Sequence, residues 1–202
     1  MSKNRLFVII GVIGTISLVV VGAWLWQGRA KEEIQPEVLS QAGLNFTEAV
    51  GQRAPDFTLL DIGGNNVTLE SLSGRNVVLF FTEGFMCNPC FTQLIALSKD
   101  ERLNNNETVS YSIVVGDWEK WLKILADLPP LPPLKVLFDP EGRISQSYDT
   151  LNVPSSMHKG LDNGHTYFVI DRQGIVRFAF DDTAMGLRND QLVGEIEKLN
   201  AR

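Results

Sequence analysis

The sequence predicts an α/β sandwich around a central mixed sheet, with an N-terminal β-hairpin extension and one apolar segment ahead of the domain. Short β-branched runs alternate with amphipathic segments, which is typical of α/β domains. Two late strands joined by a short turn and followed by a closing helix make part of the sheet antiparallel. The roughly 170 residues after the apolar segment suffice for one domain with its own core.

The apolar segment, residues 6–26, contains no charged side chain and is long enough to cross about 30 Å of hydrocarbon as a helix. Basic residues precede it, and two tryptophans stand where an interfacial aromatic belt would lie. A cleaved signal peptide has a shorter apolar core, about 7–15 residues, and a small-residue cleavage site that this chain lacks. We therefore predict a tail over residues 1–5 and an uncleaved transmembrane helix over 6–26.

Basic residues flank this segment on both sides, so the positive-inside rule gives little preference for either orientation. The short tail favours an N-inside orientation, with the domain outside the cytoplasm of a prokaryotic cell membrane. Residues 27–50 are mixed and polar and are interpreted as a stalk, and residues 51–202 as the domain. The chain after Ala30 carries 15 basic and 24 acidic residues, a net charge of −9. This excess argues against nucleic acid and anionic lipid surfaces as partners of the domain.

The first predicted elements of the domain form a hairpin. Residues 54–60 alternate like a strand, glycines and asparagines at 63–66 mark a turn, and residues 67–69 return as a second strand. Residues 76–81 are β-branched or aromatic over most of their length, which predicts a buried strand. A helix is expected over 91–103.

The second half continues the alternation. Strands are expected over 109–115, 134–138, 165–170 and 175–180, and helices over 117–128, 143–148 and 189–201. Trp118 and Trp121 stand at helical spacing, so both are expected to pack against the sheet.

Cys87 and Cys90 are the only cysteines, and they form a C-x-x-C pair between the buried strand and the helix after it. The positive end of a helix stabilises a thiolate, which is the reactive form of cysteine. A thiol of pKa about 8.5 is only ~3 % ionised at pH 7, whereas a pKa of ~7 makes about half of it reactive. Residues three apart share a helix face, so the second thiol can resolve a mixed disulfide formed by the first. The pair therefore predicts a redox site.

Two other interpretations of the pair remain. A purely structural disulfide would close a loop too short to constrain much of the unfolded chain. A zinc site needs four ligands, and only His158 and His165 remain as soft or borderline candidates. Neither a cofactor nor a resident metal is predicted.

Three further residues are candidates for the neighbourhood of the thiols. Pro89 lacks a backbone donor and stiffens the helix start. Glu83 precedes Cys87 by four residues and is a candidate proton acceptor, although an exposed loop carboxylate is the simpler interpretation. His165 is either a near-site residue or an ordinary strand terminus, and His158 is expected in a loop.

Six segments in the right order resemble the thioredoxin-like superfamily. Within it they resemble the redoxin branch that membrane-anchored thiol–disulfide oxidoreductases share with the alkyl hydroperoxide reductases and thiol-specific antioxidants. Residues 51–59 are similar to the opening G-x-x-A-P-D-F-x-L of that branch, and residues 137–142 and 168–176 resemble its later segments. The resemblance implies Cys87 as the exposed attacking thiolate and Cys90 as the resolving thiol. It also implies protein thiols or disulfides and a separate electron donor as partners, with the direction of electron flow left open.

The departures from the branch bear on mechanism. The place of the cis-proline that usually faces the cysteines holds His165. Peroxiredoxins place their reactive cysteine in P-x-x-x-T-x-x-C, and in that register Cys90 is the reactive cysteine, Cys87 replaces the threonine and Glu83 the proline. The peroxide-polarising arginine falls at or near His165. These departures favour thiol–disulfide exchange over peroxide reduction, which stays an alternative, as does the reverse order of attack.

Copper handling is an alternative of a different class. Thioredoxin-like copper chaperones combine two cysteines with a distant histidine and are membrane-anchored. Soft thiolates and an imidazole suit copper, and His165 would supply the imidazole. Their cysteines, however, are usually separated by three residues instead of two.

Overall fold

The computed structural model of the protein describes residues 43–201, in which seven strands form one sheet in the order β2-β1-β5-β4-β3-β6-β7. The strands are β1 (Thr58–Asp61), β2 (Asn66–Thr68), β3 (Asn76–Thr82), β4 (Thr108–Val115), β5 (Val136–Asp139), β6 (Thr166–Ile170) and β7 (Val176–Asp181). The helices are α1 (Asn88–Lys99), α2 (Trp118–Ala126), α3 (Arg143–Ser147) and α4 (Asn189–Asn200). Short 3-10 turns cover Phe46–Glu48, Glu70–Leu72 and Gly84–Met86.

The sheet is mixed, as predicted. β3, β4 and β5 run parallel, whereas the β1–β2 hairpin and the β6–β7 hairpin pair antiparallel with their neighbours. The β1–β2 hairpin joins the same sheet, because β1 also pairs with β5. The α/β sandwich with a mixed sheet and an N-terminal hairpin is therefore confirmed.

β3 lies inside the sheet and all seven of its residues are buried. Successive side chains of a strand point to opposite faces, so Val78 and Phe80 pack in one apolar cluster and Val77, Leu79 and Phe81 in the other. Helices α1, α2 and α4 contribute to the cluster that contains Phe80. Trp121 is buried there and Trp118 packs against it, as their spacing predicted.

The folded domain begins earlier than the predicted stalk allows. The ring of Phe46 packs edge-on to Phe168 at 5.7 Å, and Ala49 is fully buried in the cluster of Leu79. The Leu44 amide also donates to the Ser147 carbonyl at 2.7 Å. Because these apolar groups bury surface against the sheet, residues 43–50 belong to the domain and not to a linker.

The predicted span over 6–26 lies outside the described residues, as do the tail and most of the predicted stalk. Within residues 43–201, no helix is both long and apolar enough to cross a membrane.

The pairing of the strands brings three separate segments to one edge of the sheet. β3 ends where β6 begins, with Phe81 opposite Thr166, and β7 ends opposite the same residue at Asp181. We call this the cysteine edge, because the turn after β3 leads directly to Cys87. In that turn Gly84 has a φ of +67°, and a Cβ there would lie 2.4 Å from the Trp121 ring. Only glycine fits this close approach without displacing Trp121.

Candidate active site

The cysteine pair forms a disulfide at the start of α1. Cys87 is the N-cap residue, and its Sγ accepts the Cys90 amide at 3.4 Å, while its carbonyl accepts the Phe91 amide at 2.9 Å. Asn88 and Pro89 are exposed in the first turn of the helix, where proline loses no helical hydrogen bond. On reduction, the Cys90 amide and the positive end of the helix would both stabilise a thiolate at Cys87.

The two sulfurs are less accessible than expected. Cys87 was expected to be exposed, but it is 3 % exposed in this disulfide form, and Cys90 is 1 % exposed. The expectation of an exposed Cys87 is therefore wrong for the oxidised protein. Met185 shields Cys87 in part, because its Sδ lies 3.9 Å from Cys87 Sγ.

Glu83 is buried, so its interpretation as an exposed loop carboxylate is wrong. Its Oε1 accepts the Met157 amide at 3.1 Å and lies 3.4 Å from Nδ1 of His158. Its Oε2 is buried and has no hydrogen-bond partner. One 3-10 turn separates Glu83 from Cys87, closed by the Cys87 amide bonded to the Gly84 carbonyl at 3.3 Å. Both contacts of Oε1 come from residues 155–162, a loop that reaches Glu83 just after the end of β3.

The same loop brings in a second acidic side chain, Asp162. Burial raises the pKa of Asp162 to about 6, and the negative charge of Glu83 adds to this rise. The exposed ring of His158, a loop residue as expected, opposes it. Two carboxyl groups and an imidazole thus lie close together one turn before the disulfide. Sequence reasoning missed Asp162, because no motif or spacing connects it with the cysteines.

His165 precedes β6 and so lies at the cysteine edge. It is buried, its Nε2 is 2.8 Å from the Tyr167 hydroxyl, and its ring packs against Phe80 at 4.6 Å. Burial lowers the pKa of His165 to about 4, so the imidazole is neutral at pH 7. Within residues 43–201, no three His, Cys, Asp or Glu side chains are placed to hold a metal ion. The structure therefore does not bring His165 and the cysteines together as one set of metal ligands.

Comparisons with known proteins agree on the family. The AhpC/TSA family matches residues 50–179. Alkyl hydroperoxide reductase E of Mycobacterium tuberculosis is 36% identical over 133 residues, which cover 64% of this chain and 83% of that protein. Thioredoxin-like protein YneN of Bacillus subtilis is 26% identical over 133 residues, covering 63% of this chain and 68% of that protein.

Among solved structures, the reduced 2-Cys peroxiredoxin of Plasmodium vivax superimposes with a TM-score of 0.63 at 21% identity, over 76% of this chain and 97% of that one. This likeness shows the thioredoxin-like fold. Together with the disulfide at the start of α1, the match over residues 50–179 means that the chain belongs to the AhpC/TSA family of thiol-based redox proteins.

Proposed function

We propose that the domain is a thiol–disulfide oxidoreductase that exchanges disulfides with protein partners through Cys87 and Cys90. The observation that carries the proposal is the cap of α1, in which Cys87 Sγ accepts the Cys90 amide within the disulfide. The same amide would stabilise a thiolate at Cys87 after reduction, because a hydrogen bond to the charged form lowers the pKa of a thiol.

The exchange follows from the spacing of the pair. In the reductive direction, the Cys87 thiolate attacks one sulfur of a partner disulfide and expels the other as a thiolate. Cys90, deprotonated, then attacks Cys87 Sγ, which closes the internal disulfide and releases the second partner thiol. Two electrons pass to the partner, and a separate donor dithiol restores the pair. The oxidative direction is the same sequence in reverse.

Apolar side chains around the disulfide support a polypeptide as the partner. Four large apolar residues from the segments of the cysteine edge are each more than half exposed, namely Met86, Met157, Leu161 and Leu187. Met86 directly precedes Cys87, and Leu187 lies two residues after Met185. Large apolar side chains exposed on neighbouring segments are typical of protein contact surfaces.

Peroxide reduction is the second candidate, because the relative with 36% identity is an alkyl hydroperoxide reductase. In that reaction the Cys90 thiolate attacks a hydroperoxide and is oxidised to a sulfenic acid, while an alcohol is released. The sulfenic acid then condenses with the Cys87 thiol to form the disulfide and water. The neutral His165 offers no positive charge for polarising a peroxide, and Glu83 brings a carboxyl group next to the site. Both features favour disulfide exchange with proteins over peroxide reduction.

Single cysteine variants test the order of events. We expect Cys90→Ser to accumulate a mixed disulfide with a disulfide-containing peptide, because the resolving thiol is missing. Cys87→Ser should not accumulate one. Mass spectrometry under non-reducing conditions measures both.

Trapping by Cys87→Ser alone would contradict the assignment of Cys87 as the attacking thiol. The second candidate is favoured if the reduced wild-type protein consumes a hydroperoxide stoichiometrically and Cys87→Ser retains a sulfenic acid at Cys90.

We also propose that Glu83 exchanges a proton with the cysteine pair. Its support is the buried Oε2, which lacks a partner one turn before Cys87, in a site largely closed to water. The other oxygen is held by the Met157 amide, so the carboxyl group has a fixed position. A carboxylate placed in this way can accept the Cys90 proton when the mixed disulfide resolves.

Glu83→Gln should slow resolution of the mixed disulfide at least about tenfold, because positioned acid–base groups typically contribute that much or more. The glutamine can still accept the Met157 amide, so the loop keeps its anchor. Single-turnover release of a fluorescent peptide measures the rate. Glu141→Gln, at an exposed carboxylate paired with Arg143, is the matched control. Equal rates in Glu83→Gln and this control would exclude the proton-transfer role.

We propose further that residues 6–26 anchor the domain as a single span, with the domain outside the cytoplasm of a prokaryotic cell. The uninterrupted apolar sequence and its flanking basic and aromatic residues support this. The full chain should stay with membranes after alkaline carbonate washing, and a chain starting at residue 31 should be released. Release of the full chain would disprove the anchor.

A further inference from the structure

We infer that the reduced cysteine pair and Met185 form a three-sulfur site for a soft monovalent cation, copper(I). Met185 Sδ lies 3.9 Å from Cys87 Sγ, and Cys90 Sγ is bonded to the same Cys87 sulfur. The Met185 thioether and the Cys90 sulfur therefore share Cys87 Sγ as a common neighbour at the start of α1. This inference goes beyond disulfide exchange, because it assigns the same cysteines a ligand other than a protein thiol.

The separation of the sulfurs suits a shared metal ion. In a trigonal site with metal–sulfur bonds of about 2.3 Å, neighbouring sulfurs are about 4 Å apart. The contact between Met185 and Cys87 already has this length. The Cα atoms of Cys87 and Cys90 are 5.2 Å apart, so the two sulfurs can reach the same separation by side-chain rotation once the disulfide is reduced.

Met185 lies in an energetically unfavourable backbone conformation. Met185 has a φ of +50°, which is rare for a side chain of this size. Asp182 holds the turn, since its carboxylate accepts the Ala184 amide at 3.1 Å and the Gly186 amide at 2.9 Å. Arg188 in turn fixes Asp182 through two hydrogen bonds of 2.7 and 2.8 Å. Backbone strain maintained by so many contacts is typical of functional sites, where a side chain must occupy one position.

The chemistry of the ligands selects the metal. Thiolates and a thioether are soft donors that suit copper(I), whereas zinc is almost always four-coordinate in structural sites and harder cations prefer oxygen ligands. Within the described residues, no third His, Cys, Asp or Glu joins the cysteines. Met185 therefore replaces His165, the residue predicted from the sequence, as the third ligand of a copper site.

Loading requires the reduced pair. A dithiol donor transfers two electrons and two protons to the Cys87–Cys90 disulfide and is itself oxidised to a disulfide. Copper(I) then displaces the two thiol protons, binds both thiolates and the thioether, and keeps its oxidation state. The loaded site cannot exchange disulfides, because both thiolates are occupied.

Copper(I) titration of the full chain under anaerobic, reducing conditions tests the site, with a chromogenic copper(I) chelator as competitor. We expect one copper(I) per chain in the wild-type protein. Met185→Leu should weaken binding at least about tenfold, since even outer-sphere partners of a metal typically contribute that much. Met86→Leu is the matched control, because Met86 adjoins Cys87 in sequence but is exposed.

X-ray absorption on the loaded wild-type protein gives a second measurement that needs no variant, and three sulfur neighbours are expected. Failure to hold copper(I) against the chelator, two sulfur neighbours only, or equal losses in Met185→Leu and Met86→Leu would each overturn the inference. Disulfide exchange measured on the metal-free protein separates this inference from the proposed function, because exchange does not need Met185 as a ligand.

Discussion

The chemistry of this protein depends on the cap at the start of α1, where the Cys90 amide donates to Cys87 Sγ. β3 is fully buried and ends directly before this cap, so the sheet fixes the point at which the helix begins. Gly84 lets the connecting turn pass against Trp121, and no side chain fits there. Displacing the cap would remove the hydrogen bond and the helix end that together favour a thiolate.

Antiparallel pairing of β6 with β3, and of β7 with β6, supplies the surroundings of the pair. The loop before β6 covers Glu83 and contributes Asp162, and the turn after β7 delivers Met185. One face of the site is thus acidic and buried, and another carries a thioether. The disulfide thus has a buried carboxyl group one turn before it and a thioether next to Cys87, and the two proposed reactions, disulfide exchange and metal binding, use the same pair of cysteines.

The sequence predicted what depends on local pattern. Strand and helix positions followed from periodicity, the cysteine pair from its spacing, and the family from six ordered segments. The burial of Glu83, the role of Asp162 and the approach of Met185 to Cys87 depend on loops far away in sequence, and no local pattern contains them. The stalk prediction failed over residues 43–50 for the same reason, because the contacts of Phe46 and Ala49 are with distant strands.

In the proposed function, Cys87 and Cys90 cycle between dithiol and disulfide. Equilibrium titration of the protein against glutathione or dithiothreitol, read by thiol alkylation and mass, tests it most directly. We expect one reversible two-electron transition within the range of catalytic pairs, about −270 to −120 mV, with the more negative end indicating a reductant. A bridge that does not open and close reversibly, or a potential below about −300 mV, as in structural disulfides, would contradict it.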